Sequence, residues 1–98
     1  MKPVRFHRTA RTEVRAAARH YAEIHPELGG QFYDAMDQLI REIRAQPAVF
    51  RMFDPPARRH FGPRFPSAVV YLDLPERVWI VAVMHFKQRP GYWSERIT

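Results

Sequence analysis

The sequence contains no cysteine and only two lysines among its 98 residues. The lack of cysteine excludes disulfide bonds and thiolate metal sites. No apolar run approaches the roughly 20 residues that a membrane-spanning helix needs. The first residues also lack the apolar core of a signal peptide. These absences predict a cytoplasmic protein whose single domain, residues 1–98, is stabilised by its own hydrophobic core.

The charge balance is strongly positive, and arginine supplies most of it. Sixteen basic residues against ten acidic ones give a formal net charge of +6, and fourteen of the sixteen are arginine. The guanidinium group suits bidentate contacts with phosphate or carboxylate. The excess therefore predicts an anionic partner, either nucleic acid or an acidic protein segment. A genome that favours arginine codons is the alternative explanation, although it would not by itself cluster the charge.

The most apolar stretch of the chain is residues 78–86, which is rich in β-branched side chains. Val78, Ile80, Ala82, Met84 and Phe86 are predicted to share one face of a strand, and the intervening apolar residues the other. A strand that is apolar on both faces is typically central and covered on both sides. A buried helix is the competing interpretation, but the composition and length favour a strand.

The rest of the chain divides into short strands around two amphipathic helices. Apolar residues at helical spacing predict helices over residues 9–25, with Thr9 as the N-cap, and over residues 31–45. Residues 47–56 are predicted to be an irregular connector. Further strands are predicted at residues 4–7, 58–61 and 65–74, with a tight turn at 74–77. The order β-α-α-β-β-β predicts an α+β fold, with a two-helix hairpin on one face of a small, mainly antiparallel sheet.

Arginines recur every three or four residues along the first predicted helix, at Arg8, Arg11, Arg15 and Arg19. Like charges at this spacing disfavour an isolated helix slightly. One interpretation is a basic stripe that contacts an anionic partner. The other is an ordinary solvated face.

A second group of basic and aromatic residues occupies the late half of the chain. Histidine and tyrosine beside a phosphate could act as general base and acid in RNA cleavage, with arginines stabilising the transition state. The candidates for such catalysis are His60, Arg64, His85, Arg89 and Tyr92. The candidates for binding a target or nucleic acid are Arg58, Arg59, Lys87, Trp93 and Arg96. The alternative is structural, with His85 at a strand boundary and Tyr92 and Trp93 capping the core.

Metal and cofactor chemistry is not predicted. The five histidines lack the spacing of metal ligands, and no cysteine or carboxylate cluster accompanies them. The chain also lacks a P-loop, a G-x-G-x-x-G fingerprint and a G-x-S-x-G motif.

The final motif, His85-x4-Pro90-x-Tyr92-Trp93-x2-Arg96, resembles the ending of RelE/ParE superfamily toxins from type II toxin–antitoxin systems. The chain is most similar to the ParE-like side of that superfamily. Weaker similarities lie at Leu28-Gly29 with Phe32, Ile43 with Pro47, Arg58-Arg59, Phe65-Pro66 with Tyr71, and Ala82-Val83. One departure is Gln88, followed by Arg89, where many relatives have arginine three residues after the histidine.

The resemblance implies a small bacterial toxin that is neutralised by a cognate antitoxin. Antitoxins of this kind typically wrap an acidic, partly disordered segment around the toxin. Arg11, Arg15 and Arg19 are the residues expected to contact such a segment, in a hetero-oligomer with the antitoxin.

The resemblance also implies two possible targets. ParE-like members inhibit DNA gyrase, whereas RelE-like members cleave mRNA on the ribosome with a basic catalytic set. With lysine only at Lys2 and Lys87, the lysine-rich form of that set is missing. We therefore expect a gyrase-directed toxin, with a ribosome-dependent endoribonuclease that uses His60, His85 and Tyr92 as the alternative.

Overall fold

The computed structural model describes residues 1–97 and contains two helices packed on one face of a five-stranded sheet. The strands lie in the order β1-β5-β4-β3-β2; β1 is parallel to β5, and the other neighbours are antiparallel. The predicted α+β fold is confirmed, with β2 as an extra strand inside the segment expected to be irregular. The elements are β1 (Val4–Phe6), α1 (Arg8–Ile24), α2 (Pro26–Ala45), β2 (Met52–Asp54), β3 (Ala57–Phe61), β4 (Ser67–Asp73), β5 (Val78–His85) and a 3-10 helix at Ser94–Arg96.

Histidine side chains cap the N-termini of both helices. In α1, Nδ1 of His7 accepts the backbone N–H of Thr9 at 3.0 Å, so the prediction of Thr9 as the cap is wrong. In α2, Nδ1 of His25 accepts the N–H of Glu27 at 3.4 Å. Pro26 fits the first helical position because it has no N–H to leave unpaired there. The second helix therefore begins at Pro26 and not near residue 31 as predicted.

The two helices approach each other most closely at a glycine. A Cβ on Gly29 would lie 3.0 Å from the carbonyl oxygen of Ala18 and 3.0 Å from Cβ of Ala22. At its neighbour Gly30, a Cβ would meet nothing within 4 Å. The absence of a side chain at position 29 therefore sets the distance between α1 and α2, whereas position 30 faces open space.

This difference between the two glycines can be tested with one substitution made at both positions. Gly29→Val is expected to lower the free energy of unfolding by roughly 1–3 kcal/mol, because the new side chain meets backbone that cannot move aside. Gly30→Val is expected to change it by less than about 0.5 kcal/mol, since valine forms helix somewhat better than glycine. Urea unfolding followed by circular dichroism measures both. Equal effects at the two positions would contradict the close approach at Gly29.

Hydrophobic side chains cover both faces of the central strands, as predicted. On the helix side, Phe32, Ile43, Tyr71 and Ile80 are among the fully buried members of one cluster. The opposite face is covered by the C-terminal segment, where Trp93 is 1% exposed and packs over the sheet. Helices thus cover one side only, and the chain end replaces them on the other.

A β-bulge interrupts the regular pairing of β4 with β5. Val70 pairs with Ala82, but the next residue of β4, Tyr71, pairs with Ile80. Val81 is therefore the extra residue of β5. Because side chains alternate with a period of two, one extra residue exchanges the faces for the rest of the strand.

The bulge corrects the predicted faces of β5. Val78 and Ile80 lie in the helix-side cluster, whereas Ala82 and Met84 lie in the cluster on the opposite face. The prediction that all four share one face is therefore wrong. Phe86, assigned to the same face, lies beyond the end of the strand and is 48% exposed.

The connector between α2 and β2 is fixed by side chains of the sheet. Arg58 Nη1 donates to the carbonyl oxygens of Ala48 at 3.1 Å and Phe50 at 2.9 Å. The hydroxyl of Tyr71 donates to the carbonyl of Pro47 at 2.6 Å, and burial raises the pKa of Tyr71 to about 12.

Among residues 1–97, no helix has the combined length and apolar content that would let it cross a bilayer.

Candidate functional site

A carboxylate on α1 organises the end of the chain. Glu13 Oε1 accepts hydrogen bonds from Arg96 Nη1 at 3.0 Å and from the backbone N–H of Val83 at 3.0 Å. Its Oε2 accepts from Arg96 Nη2 at 2.9 Å and from the Tyr92 hydroxyl at 2.7 Å. The side chains of Glu13 and Arg96 are only 16% and 14% exposed. Glu13 and Arg96 therefore form a largely buried bidentate ion pair, and Tyr92 is hydrogen-bonded to it.

The position of this network follows from the length of β1. That strand pairs with β5 only over Val78–Ile80, so the later residues of β5 have no neighbouring strand on that side. The N–H of Val83 is instead satisfied by Glu13, and the carbonyl of Val81 accepts from Arg96 Nη1 at 3.1 Å. An unpaired strand edge is a template for pairing with another chain. Here the ion pair occupies the positions that a strand would otherwise fill.

The network also shifts the pKa of two predicted site residues. The hydrogen bonds that Arg96 donates to Glu13 raise the pKa of Arg96. Burial, followed by the hydrogen bond to Glu13, raises the pKa of Tyr92 well above its ordinary value. Both shifts favour the forms that the groups ordinarily have near pH 7, a charged Arg96 and a neutral Tyr92. A tyrosine with a raised pKa is a weaker general acid at neutral pH.

The remaining predicted residues of this region lie around the turn after β5. His85 Nδ1 accepts the backbone N–H of Lys87 at 3.0 Å. The backbone N–H of His85 donates to Gln88 Oε1 at 2.7 Å. Lys87 and Arg89 are exposed. His85 thus caps a turn with one ring nitrogen, which leaves Nε2 as its other polar atom.

A cleft of about 280 Å³ lies between α1 and this end of the sheet. His85 and Gln88 line it together with His20 and Ser67, two residues that the sequence analysis did not single out. Ser67 is 4% exposed and pairs with His85 across the two strands. Since His20 is on α1, only the packing of that helix on the sheet brings it to the cleft.

His60 and Arg64 lie at a second location, in a groove of about 490 Å³ between α2 and the end of β3. His60 Nε2 is 2.7 Å from Glu42 Oε1, and the imidazole stacks on Phe50 with ring centroids 3.7 Å apart. The hydrogen bond from His60 lowers the pKa of Glu42. Arg64 Nη2 donates to Gln31 Oε1 at 3.0 Å at the other end of the groove.

One strand, β4, lies between the strands that carry the two histidines. His60 pairs with Val69, which pairs in turn with Val83, two residues before His85. At about 4.8 Å between neighbouring strands, the two backbones are on the order of 10 Å apart. The structure therefore places His60 with Arg64, and His85 with Arg89 and Tyr92, at separate positions.

Aromatic rings fill the space between the groove and the cleft. Phe65 lines the groove that contains His60, and Tyr21 lines the cleft that contains His85. The two rings are in contact, with centroids 4.9 Å apart, and both pack against Phe32 at 5.2 Å. The five predicted catalytic residues consequently do not converge on one reacting atom.

The predicted binding residues are also distributed over different surroundings. Arg58 and Arg59 point to opposite faces of the sheet, as neighbouring strand residues do. Arg58 holds the connector, whereas the guanidinium of Arg59 lies 4.7 Å from the ring centroid of Phe53 on the opposite face. Trp93 is buried, with its ring 5.7 Å from that of Phe53. The role of these residues in binding stays a prediction.

The arginines of α1 border two apolar hollows on the helix hairpin. Arg11 and Arg15 line one of about 210 Å³ with Val14, Ile40 and Met36. The other hollow, of about 410 Å³, has Arg15 and Arg19 at its rim, and its floor is lined by Ala18, Ala22 and Gly29. Tyr33 and Arg15 line both, so the two hollows adjoin. Arg11, Arg15 and Arg19 of the predicted basic stripe thus lie next to apolar surface of the helix hairpin.

The described residues form no candidate metal site. In the part of the chain that the structure describes, no group of three or more histidine, aspartate or glutamate side chains is placed to hold a metal ion.

The pair of Glu42 and His60 predicts a dependence of stability on pH. Because the pKa of Glu42 is lowered below 4.5 in the folded state, its contribution is complete above that pH and is lost as the pH falls through the folded pKa. The side chain is 43% exposed, so we expect a loss below about 1 kcal/mol. Urea titrations between neutral and acid pH should show Glu42→Gln to be less acid-sensitive than the wild type. This assignment would be contradicted if the free energy of unfolding of Glu42→Gln differed from that of the wild type by the same amount at every pH.

The comparisons with known proteins bear on the fold. No protein-family model and no curated protein matches the sequence. Six chains of solved structures match it, and one of them is from a structure described as "Chromosomal ParDE TA system from P. aeruginosa". The two chains superpose with a TM-score of 0.77 at 17% identity, over 87% of this chain and 96% of the other. This chain has a ParE-like fold.

The ParE-like fold explains which site residues the sequence could not reveal. The last motif places Tyr92 and Arg96 at the end of the chain, but their partner Glu13 is 79 and 83 positions away in sequence. A single glutamate among arginines on a helix gives no signal of its own. Only the crossing of α1 over the end of β5 identifies it as the centre of the network.

Proposed function

We propose that this protein is the toxin of a type II toxin–antitoxin module, that it acts in the cytoplasm, and that DNA gyrase is its target. The observation that supports this most is the ParE-like fold over 87% of the chain, shared with a chain of a ParDE system. The ParE-like ending of the sequence and the net charge of +6 agree with it. The proposal makes the protein a binding poison that uses no cofactor.

The local geometry favours this target over mRNA cleavage. A ribonuclease of the expected kind needs its acid, base and arginines around one phosphate. Here His60 and His85 lie on strands two apart, and the Tyr92 hydroxyl is engaged by Glu13. Binding to a protein target does not require these side chains to surround a single phosphate. The endoribonuclease alternative is therefore the weaker one.

The target is tested with purified protein, gyrase and plasmid DNA. We expect gyrase to be trapped on cleaved plasmid, and addition of the product of the adjacent gene to abolish the trapping. Normal supercoiling at saturating protein would rule out gyrase as the target. In that case, primer extension on ribosome-bound mRNA tests the alternative, with His85→Ala as the variant that should lose cleavage.

The proposed antitoxin surface is the pair of hollows bordered by Arg11, Arg15 and Arg19. An amphipathic segment could place apolar side chains in the hollows and carboxylates against the arginines at the rim. Such a segment would be acidic, partly disordered when free, and would form the expected hetero-oligomer.

Reversing the charge of Arg15, which lines both hollows, tests this surface. Arg15→Glu is expected to weaken antitoxin binding about tenfold or more, since it replaces an attraction with a repulsion next to both hollows. Stability should change little because the side chain is exposed. Isothermal titration calorimetry measures the affinity, with Arg41→Glu on α2 as the matched control. Equal weakening by both variants would indicate only a general charge effect.

A further inference from the structure

An exposed aromatic pair lies at one end of the sheet, beside the groove that contains His60. Phe61 is the last residue of β3, and Phe86 follows the last residue of β5. Their rings are 5.3 Å apart and nearly perpendicular, at 86°. They are 50% and 48% exposed. Two adjoining large apolar side chains left half in water are a common mark of a binding surface.

Two arginines, Arg51 directly before β2 and Arg59 on β3, lie at the edge of the sheet next to Phe61, and neither pairs with a carboxylate among residues 1–97. The pairing of Met52 with Arg58 places Arg51 opposite Arg59 on the neighbouring strand, and the Arg59 N–H donates to the Arg51 carbonyl at 3.0 Å. Side chains at opposed positions share a face, and like charges there are unfavourable.

Arg59 is oriented by aromatic rings and by burial. Its guanidinium carbon is 4.7 Å from the centroid of Phe53 and 5.9 Å from that of Phe61. Its Nε is buried and has no hydrogen-bond partner within the described residues. The cation is therefore held between Phe53 and Phe61, and no carboxylate among residues 1–97 pairs with it.

Two further cationic residues lie close to Phe86 in sequence. Lys87 and Arg89 are exposed in the turn that follows Phe86. The acidic residues of the β4–β5 hairpin, Asp73 and Glu76, lie at its opposite end, where β4 turns into β5. This end of the sheet is thus suited to an anionic ligand that also offers flat apolar groups.

We propose that the surface formed by Arg51, Arg59, Phe61 and Phe86 binds single-stranded nucleic acid. The perpendicular rings form a corner in which one unpaired base can stack on one ring while its edge contacts the other. The arginines then neutralise the adjoining phosphates. A duplex hides its base faces, and an acidic peptide supplies charge without a flat ring for the corner. This goes beyond the proposed function, because it is a direct contact with nucleic acid and is independent of any protein target.

Fluorescence anisotropy with labelled oligothymidylate and oligouridylate of about 12 nucleotides, at about 50 mM salt, tests the stacking contact. Phe61→Ala and Phe86→Ala are each expected to weaken binding about tenfold, the effect of one lost base–aromatic contact. Ile24→Ala removes a large apolar side chain that is 64% exposed at the end of α1 and should change nothing. Phe61→Leu, which keeps apolar volume without a flat ring, should resemble Phe61→Ala. Preference for one oligonucleotide shows whether the surface favours thymine deoxynucleotides or uracil ribonucleotides.

The salt dependence separates the arginines from the rings. Arg51→Gln should lower the slope of log affinity against log salt by about 0.7, the value for one single-strand phosphate contact. The phenylalanine variants should leave that slope unchanged, and Arg41→Gln on α2 serves as the control. Three results would overturn the proposal: no binding of either oligonucleotide by the wild type, equal affinity for duplex DNA, or affinity unaffected by both phenylalanine variants. An acidic peptide that binds as tightly and loses as much with Phe61→Ala would also overturn it, in favour of a protein partner.

Discussion

Replacing Glu13 with alanine is expected to lower the free energy of unfolding by about 3 kcal/mol. The substitution leaves the Arg96 guanidinium, which is 14% exposed, without its bidentate partner. It also leaves the Tyr92 hydroxyl and the Val83 N–H without their acceptor. The penalty arises mainly from charge and polar groups that remain desolvated and unpaired.

Urea unfolding of Glu13→Ala measures this loss, and Glu23→Ala is the matched control. Glu23 is an exposed glutamate on the same helix, so its removal should cost less than about 0.5 kcal/mol. A double-mutant cycle with Arg96→Met separates the pair from the remaining contacts, since removing both charges should cost less than removing Glu13 alone. If Glu13→Ala were as mild as Glu23→Ala, the network would not be fixing the chain end.

Replacing Ile80 with alanine is expected to cost roughly 2–5 kcal/mol, the other large effect. Ile80 is fully buried in the cluster between the helices and the sheet, on a strand with neighbours on both sides. Neither β1 nor β4 can move into the space, because both are hydrogen-bonded to β5. The cost therefore includes a cavity as well as the lost burial of the side chain.

Thermal or urea unfolding measures the cost at Ile80, with Ile24→Ala as the same change in an exposed position. Ile24 is 64% exposed at the end of α1, so its truncation should cost less than about 0.5 kcal/mol. A loss below about 1 kcal/mol at Ile80 would contradict its place in the core.

Sequence patterns predicted the helices and strands wherever the local signal was regular. The apolar spacing of α2 and the β-branched run of β5 are examples, because burial imposes a period of 3.6 or 2 on the sequence itself. Boundaries were less predictable. The pair Gly29-Gly30 suggested a loop, but both residues lie inside α2, where the missing side chain of Gly29 allows close contact with Ala18 and Ala22 of α1.

The candidate site was predictable in composition but not in arrangement. His60 and His85 belong to one basic and aromatic set in the sequence, yet the order of the strands places β4 between them. Conversely, Phe61 and Phe86 are distant in sequence and their rings meet, because β3 and β5 run in the same direction on either side of β4. Strand order is set by contacts between distant segments, which no local pattern encodes.

The sequence by itself determined the α+β class, the strand with two apolar faces and the surplus of arginine, since each depends on composition or on periodicity within one segment. Only the tertiary structure decided which charges are neutralised. Arg96 is paired because α1 brings Glu13 to the open edge of β5, whereas Arg51 and Arg59 pair with no carboxylate among residues 1–97. Charge pairing depends on distances through space, and these distances are set only when the helices pack on the sheet.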